Sequence, residues 1–280
     1  MTRDTHGRGR RSELMMRVAS SLALASVALV SAWFGGIVFA LVWGVAALSV
    51  WREWLFVIGV QGDVRSARFL VGALGVTGSI VAVMTLKDSM ILAFLPAVLS
   101  GLVLVALFRR KDMGWAWQLF GPLYSSTVIV GPLALRGRAT DGLMILVWLF
   151  LVVWISDIGA FFAGRTVGGP KLWPSVSPKK TWSGSLGGLI AGTVVPVGFV
   201  LAVKAIFGVV WLSGAGLIGL TLSTAIIAEF GDLFESAMKR HFGVKDSGTL
   251  IPGHGGIMDR LDSYAAAAFY VFFVSEIFGI

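Results

Sequence analysis

Long apolar runs, each almost free of charged residues, follow one another along the chain and are separated by short polar segments. An α-helix needs about 20 residues to cross the roughly 30 Å hydrocarbon core of a membrane. The runs that approach this length are 14–33, 37–56, 68–86, 89–108, 115–135, 142–163, 184–206, 209–230 and 263–279. We therefore predict an all-α, polytopic integral membrane helical bundle with about nine transmembrane helices.

The composition agrees with this prediction. Of the 280 residues, 56% are hydrophobic and 14% are charged, whereas soluble proteins have roughly 45–50% apolar residues and about a quarter charged. So few polar side chains could not cover a large soluble protein with buried helices, which excludes that alternative. The lack of cysteine excludes disulfides and thiolate sites. No small-residue cleavage site follows the first apolar run, so we expect a retained helix rather than a removed signal peptide.

The basic residues predict the orientation. The net charge of +8 would suggest nucleic acid in a soluble protein, but here we interpret it as membrane orientation and attraction to anionic lipid, with no nucleic-acid partner. With the N-terminus in the cytoplasm, the far side receives, among basic residues, only Lys87, Arg136, Arg138 and Lys204. We expect an integral protein of the bacterial cytoplasmic (inner) membrane, with its N-terminus and polar connections in the cytoplasm.

The polar residues divide the chain into three parts. Residues 1–13 form a basic cytoplasmic tail, and residues 14–135 form an N-terminal transmembrane scaffold. Residues 136–280 form a C-terminal catalytic transmembrane region, because both chemically rich cytoplasmic connections, 164–183 and 231–262, lie there.

The first polar cluster is AEFGDLFESAMKRHFGVKD, which begins at Ala228. If this stretch is helical, one face carries Glu229, Asp232, Ser236, Lys239 and Arg240. Ionisable residues at membrane depth are costly and usually face a polar cavity. We therefore assign a function to the aspartate, whereas we interpret Glu235 as marking the point where the helix reaches water.

The second cluster is LIPGHGGIMDRLDSY, residues 250–264. Pro252 and the pair Gly255 and Gly256 predict a tight backbone before a helix, whose open amides would bind an anion. On that helix Asp259 and Asp262 share a face. Arg260 can make a bidentate contact to phosphate, and carboxylates that face phosphates imply a divalent cation such as magnesium. His254 either contacts phosphate or orients a neighbour, and we do not assign it as a metal ligand.

A third polar stretch, SPKKTWSGSLGG, opens the apolar run that starts near residue 184. Its Lys179, Lys180 and Thr181 form either a phosphate clamp at a helix N-terminus or a set of side chains that reach the membrane surface. The four-residue spacing of Gly184, Gly188 and Gly192 predicts close helix packing rather than catalysis.

Asp157 lies late in another apolar run. It is either a functional intramembrane carboxylate or a structural partner for Arg165 or the following lysines. Together these clusters predict polyphosphate chemistry with a cation at a lipid boundary. The chain has no G-x-x-x-x-G-K-[ST] sequence, which argues against an ordinary nucleoside triphosphatase.

The stretch SAMKRHFGVKDSGTLIPGHGGIMDRLD resembles the signature of the phosphatidate cytidylyltransferases (CDP-diacylglycerol synthases). The positions that this signature fixes are filled by Ser236, Lys239, Arg240, Lys245, Asp246, Gly248, Pro252, His254, Gly255, Gly256, Asp259, Arg260 and Asp262. The upstream segments SDIGAFFAGR and SPKKTWSG also resemble the family. They depart from it at Ile158, where the family usually has Thr, and at Ser183, where it usually has Glu.

The resemblance implies transfer of a cytidylyl group from CTP to phosphatidate, in a helical, homodimeric membrane protein with a cavity open to the cytoplasm. It implies magnesium, alone or with a second cation, on Asp232 and Asp259. We expect these two aspartates, Lys239 and Arg260 to be catalytic. Our candidate substrate-binding residues are Asp157, Lys179, Lys180, Thr181, Ser236, Arg240, Lys245, Asp246, His254, Gly255, Gly256 and Asp262.

Three alternatives differ in what they require. A lipid kinase or an archaeal-lipid cytidylyltransferase would use CTP on another lipid, and the complete signature argues against both. A transporter with Asp157 and Asp232 as relay carboxylates requires polar groups throughout the membrane depth, whereas here they gather on one side. A purely structural protein leaves the dense polar segment 231–262 unexplained.

Overall fold

The computed structural model describes residues 5–60, 64–86, 90–108, 114–251 and 255–280. These residues form ten α-helices, one 3₁₀-helix and a two-stranded sheet. In chain order the elements are α1 (Thr5–Phe34), α2 (Gly36–Val57), α3 (Val64–Thr85), the 3₁₀-helix (Met90–Phe94), α4 (Leu95–Phe108), α5 (Trp115–Thr127), α6 (Val130–Arg136), α7 (Gly142–Thr166), β1 (Lys171–Trp173), β2 (Ser177–Thr181), α8 (Trp182–Phe207), α9 (Gly214–His241) and α10 (Met258–Phe278).

The prediction of a polytopic helical membrane protein is confirmed. Within the described ranges, eight helical segments are long and apolar enough to cross a membrane. Two of them are composite, since Met90–Phe108 joins the 3₁₀-helix to α4 and Trp115–Arg136 joins α5 to α6. The remaining one of the nine predicted spans, 14–33, lies in α1, whose apolar part, Val18–Phe34, is shorter than the other eight segments.

Helix α9 extends well beyond the end that the sequence predicts for its span. It continues from residue 230 to His241, and α10 begins at Met258, so the predicted connection 231–262 narrows to 242–257. Polar residues continue the helix because they pair along one face, as Glu235 does with Lys239 four residues later. Similarly, α1 begins at Thr5, inside the predicted tail.

The predicted connection 164–183 contains a β-hairpin that the sequence analysis does not anticipate. Antiparallel strands β1 and β2 pair Lys171 with Thr181 and Trp173 with Ser177. Thr181 is also the N-cap of α8, since its side-chain oxygen accepts a hydrogen bond from the Gly184 amide at 3.1 Å. The hairpin therefore joins directly onto a membrane-spanning helix.

The glycine spacing in α8 produces the close packing that it predicts. A Cβ at Gly184 would lie 3.0 Å from the Ala160 carbonyl oxygen of α7, and one at Gly188 would lie 2.8 Å from that of Ser156. At Gly192 a Cβ would lie 3.1 Å from the Val152 carbonyl oxygen. Only hydrogen at these positions lets the two backbones approach so closely.

Helix α2 lies in the core of the bundle, against the helices that carry the polar clusters. The Trp43 ring lies 5.8 Å from the Phe150 ring of α7 and 4.7 Å from the Tyr264 ring of α10, measured between centroids. Trp51 and Trp54 on the same helix are also buried. Helix α2 of the N-terminal half thus packs directly on α7 and α10.

Candidate active site

A cavity of about 360 Å³ lies where α7, α9, α10 and the connection between α9 and α10 meet. The described residues that line it are Asp157, Asp232, Glu235, Lys239, Asp246, Asp259, Arg260, Asp262 and Ser263. Among these described residues are six carboxylate side chains and two basic side chains. The lining therefore has an excess of negative charge when its carboxyl groups are ionised, and it favours cations.

Helices α9 and α10 approach closely at this cavity because Gly231 has no side chain. A Cβ there would lie 2.7 Å from the carbonyl oxygen of Asp262 and 2.6 Å from the Cβ of Ala266. The close approach places Asp232 beside the first turns of α10. Its Oδ1 accepts a hydrogen bond from Ser236 Oγ at 3.3 Å, one turn along the same helix.

Lys239 links the two helices electrostatically. Its Nζ lies 2.6 Å from Glu235 Oε2 and 2.7 Å from Asp259 Oδ1. Glu235 is only 1% exposed, so our interpretation that it marks the water interface is wrong. The helix turns this carboxylate into the bundle, where the lysine compensates its charge.

Asp259 is held by backbone amides as well as by Lys239. Its Oδ2 accepts hydrogen bonds from the amides of Ser247 at 3.0 Å and Gly256 at 2.9 Å. Gly255 has φ +82°, which an L side chain rarely adopts, and a Cβ there would lie 2.7 Å from Asp259 Oδ2. The adjacent glycines therefore shape the backbone that orients this aspartate.

The amides at the start of α10 are not open to an external anion. Glu53 of α2 accepts hydrogen bonds from the Ile257 amide at 3.0 Å and the Met258 amide at 2.7 Å. The expected anion site of this helix terminus is thus filled by carboxylates of the protein, since the Gly256 amide contacts Asp259. Sequence reasoning missed Glu53, although an acidic residue late in an apolar run is itself a signal of function.

The hairpin contributes one predicted residue to the site. Lys180 Nζ forms an ion pair with Asp232 Oδ2 at 2.8 Å, from β2 to α9. Thr181 is buried in its capping role. Lys179 is exposed, and its backbone carbonyl accepts a hydrogen bond from Lys171 Nζ at 3.4 Å.

The structure gathers most, but not all, of the remaining predicted residues. Asp157, Asp246, Arg260 and Asp262 are in the cavity lining. The exposed side chains of Arg240 and Lys245 are outside that lining, and His254 lies outside the described residues. Four predicted positions from three separate sequence segments thus converge on Asp232 and Asp259.

The donor chemistry of the cavity fits magnesium. In the described part of the chain, no three His, Cys, Asp or Glu side chains are already grouped as a metal site. Magnesium does not require such a group, because it commonly uses one or two carboxylates together with substrate phosphates and water. Asp259 accepts hydrogen bonds from two backbone amides, and such bonds typically orient a carboxylate that binds a metal.

Comparison with known proteins gives matches along almost the whole chain. The sequence profile of the cytidylyltransferase family matches residues 15–278. The chain is 36% identical over 270 residues to a phosphatidate cytidylyltransferase of Brucella suis biovar 1 (strain 1330), and the match covers 95% of each chain. It is 36% identical over 236 residues to a phosphatidate cytidylyltransferase of Staphylococcus aureus (strain COL), with 82% of this chain and 86% of the relative covered. The similarity therefore includes α2 as well as the C-terminal polar segments.

Proposed function

The chain belongs to the cytidylyltransferase family and is a nucleotidyltransferase, and from this premise we propose that it transfers the cytidylyl group of CTP to phosphatidate. The products are CDP-diacylglycerol and pyrophosphate, for phospholipid biosynthesis. The main structural support is the charged cavity between apolar helices, since its carboxylates can hold a cation and its two basic side chains can bind phosphate beside a membrane. The names of the two relatives support the choice of lipid substrate.

The proposed reaction is an in-line displacement at phosphorus. An oxygen of the phosphatidate phosphate attacks the α-phosphorus of CTP and forms the new P–O bond. The bond from the α-phosphorus to the oxygen that bridges to the β-phosphorus breaks, and pyrophosphate leaves with that electron pair. The attacking oxygen is already anionic, so no strong general base is required. Catalysis then rests on positioning and on stabilisation of charge.

Basic side chains at the cavity would stabilise that charge. Arg260 offers a planar guanidinium that can bind two phosphate oxygens at once, and Lys239 is fixed between Glu235 and Asp259. Lys180 pairs with Asp232, and this pair would exchange for a phosphate contact when substrate enters. The exposed Lys179, Arg240 and Lys245 would attract the triphosphate from the surrounding solution.

Asp232 and Asp259 would hold magnesium, alone or with a second cation. When bound, magnesium would neutralise phosphate charge and align the reacting groups. The protein itself orients Asp259 through the Ser247 and Gly256 amides. Asp157 and Asp262, which line the same cavity, would keep it selective for cation-bound rather than bare phosphate.

We also propose the setting of the reaction. The basic connections would face the cytoplasm, where CTP is available, in the cytoplasmic (inner) membrane of a bacterium. Exposed apolar side chains such as Leu74, Ile190 and Val194 would contact lipid. By resemblance to the family, the protein would be a homodimer.

Pyrophosphate release tests the proposed function. Purified protein in detergent receives CTP, phosphatidate and magnesium, and each is omitted in turn. We expect release only when all three are present, with CDP-diacylglycerol formed in equal amount. Phosphate transfer to a lipid alcohol without pyrophosphate release would identify a lipid kinase, and no nucleotide chemistry at all would favour the transporter.

A further inference from the structure

Glu53 is a buried carboxylate of α2 that lies far in sequence from the residues it contacts. It is 5% exposed. Its Oε1 accepts a hydrogen bond from the Ile257 amide at 3.0 Å, and its Oε2 accepts from the Met258 amide at 2.7 Å and from Ser247 Oγ at 3.1 Å. Glu53 thus contacts both the first turn of α10 and the connection before it.

The surrounding backbone leaves room for this side chain only because two glycines face it. A Cβ at Gly248 would lie 2.9 Å from Glu53 Oε1. One at Gly256 would lie 2.5 Å from Glu53 Oε2 and still closer to Ser247 Oγ. The described residues of this connection therefore lie close around the carboxylate, and a larger side chain at either glycine would displace it.

Ser247 joins Glu53 to Asp259. Its hydroxyl donates to Glu53 Oε2 at 3.1 Å, while its backbone amide donates to Asp259 Oδ2 at 3.0 Å. The Gly256 amide, which adjoins the two amides bound by Glu53, donates to Asp259 at 2.9 Å. Two backbone segments that orient Asp259 are thus both anchored on Glu53.

We propose that Glu53 is a positioning residue for the transfer reaction. By holding the first turn of α10 and Ser247, its carboxylate sets the orientation of Asp259, which lines the cavity. Glu53 itself is outside the cavity lining in the described part of the chain, and it acts through its hydrogen-bonded neighbours. The effect of Glu53 on catalysis rests on the proposed function, whereas its effect on the position of α10 and Ser247 does not.

The negative charge of Glu53 is matched to its neighbours. The amide groups at a helix N-terminus carry a partial positive charge that favours a carboxylate. In Glu53→Gln, whichever way the side-chain amide turns, its NH₂ group faces a backbone N–H that formerly had an acceptor. The substitution therefore preserves size but loses at least one of the hydrogen bonds that fix α10.

Helix α2 makes a rigid support for this contact. Trp51 and Trp54 on either side of Glu53 are buried, and the indole nitrogens of these residues donate to the backbone oxygens of Phe69 and Trp117 at 3.0 and 2.9 Å. Because these two bonds tie α2 to α3 and α5, Glu53 is held by helices other than α10. The N-terminal half thereby restrains the geometry of the site.

Two measurements on Glu53→Gln test the proposal. In hydrogen exchange followed by mass spectrometry, we expect faster exchange in residues 255–262 and unchanged exchange in α8. In the pyrophosphate assay, we expect the magnesium concentration for half-maximal rate to rise about 10-fold, because loss of a residue that orients a metal-binding side chain weakens metal binding by about this factor. Excess magnesium should partly restore turnover, which a purely structural defect would not permit.

Glu276→Gln is the matched control, because Glu276 is exposed near the other end of α10. Glu276→Gln should change neither the hydrogen exchange of residues 255–262 nor the magnesium concentration for half-maximal rate. Unchanged exchange at 255–262 in Glu53→Gln, or faster exchange throughout the protein with an unchanged magnesium requirement, would overturn the proposal.

If Glu53→Gln does not fold, the same two measurements on Ser247→Ala test the proposal, since this substitution removes only the hydroxyl contact to Glu53. We expect smaller changes in the same direction, and no change in either measurement would again overturn the proposal. If the wild-type protein releases no pyrophosphate, the proposed function fails, whereas the exchange measurements still show whether Glu53 holds α10.

Discussion

Asp232 and Asp259 belong to one cavity but are held in different ways. Asp232 is paired with two side chains, Lys180 and Ser236, which can rotate away when another ligand arrives. Asp259 is held by two backbone amides and Lys239, so its direction is set by the fold. We infer that Asp232 is the adaptable member of the pair and Asp259 the fixed one.

Replacement of Asp232 by Asn should remove nearly all turnover without unfolding the protein. The amide keeps an acceptor for Ser236 but loses the negative charge, so cation binding should fall and the rate should drop by roughly 100-fold or more. The measurement is the pyrophosphate release rate, together with the melting temperature in detergent.

Glu229→Gln is the control for this substitution. Glu229 is three residues earlier on α9 and accepts a hydrogen bond from Ser185 Oγ at 2.6 Å, which an amide oxygen can also accept. We expect nearly full activity from the control. If Asp232→Asn were as active as Glu229→Gln, Asp232 would have no part in binding the cation.

At the scale of the elements, the long apolar runs of the sequence predict the helices well and the polar ends of those helices poorly. The span 142–163 closely matches α7, Gly142–Thr166. The span 209–230 ends too early, because hydropathy cannot distinguish a helix that leaves the membrane from one whose polar face lines a cavity. Strands as short as Lys171–Trp173 give almost no alternation for a sequence pattern to reveal.

The packing of α7 on α8 makes a prediction about two glycines of α8. Gly188→Ala places a methyl group against the Ser156 carbonyl oxygen, and overpacking of this kind costs about 1–3 kcal/mol. Gly198→Ala meets nothing within 4 Å, and alanine is the better helix former by up to about 1 kcal/mol. Thermal melting in detergent should show destabilisation only for Gly188→Ala. Equal changes of melting temperature in the two variants would contradict the close packing of α7 on α8 at Gly188.

At the scale of the whole molecule, the N-terminal half is part of the site's framework. The sequence signature lies between Ser236 and Asp262 and predicts most of the residues that meet in the cavity. It could not predict the contact of Glu53 with Met258, because only the folded chain brings α2 beside α10. The predicted scaffold 14–135 thus supplies a contact on which the orientation of Asp259 depends.

The reaction as a whole is the central claim, and the fate of isotopically labelled oxygen tests it most directly. Phosphatidate with oxygen-18 in its phosphate is given to the protein with CTP and magnesium, and both products are analysed by mass spectrometry. Attack by the lipid phosphate on the α-phosphorus of CTP predicts that CDP-diacylglycerol retains all of the label and that pyrophosphate contains none. Label in the pyrophosphate, or consumption of CTP without CDP-diacylglycerol, would contradict the account.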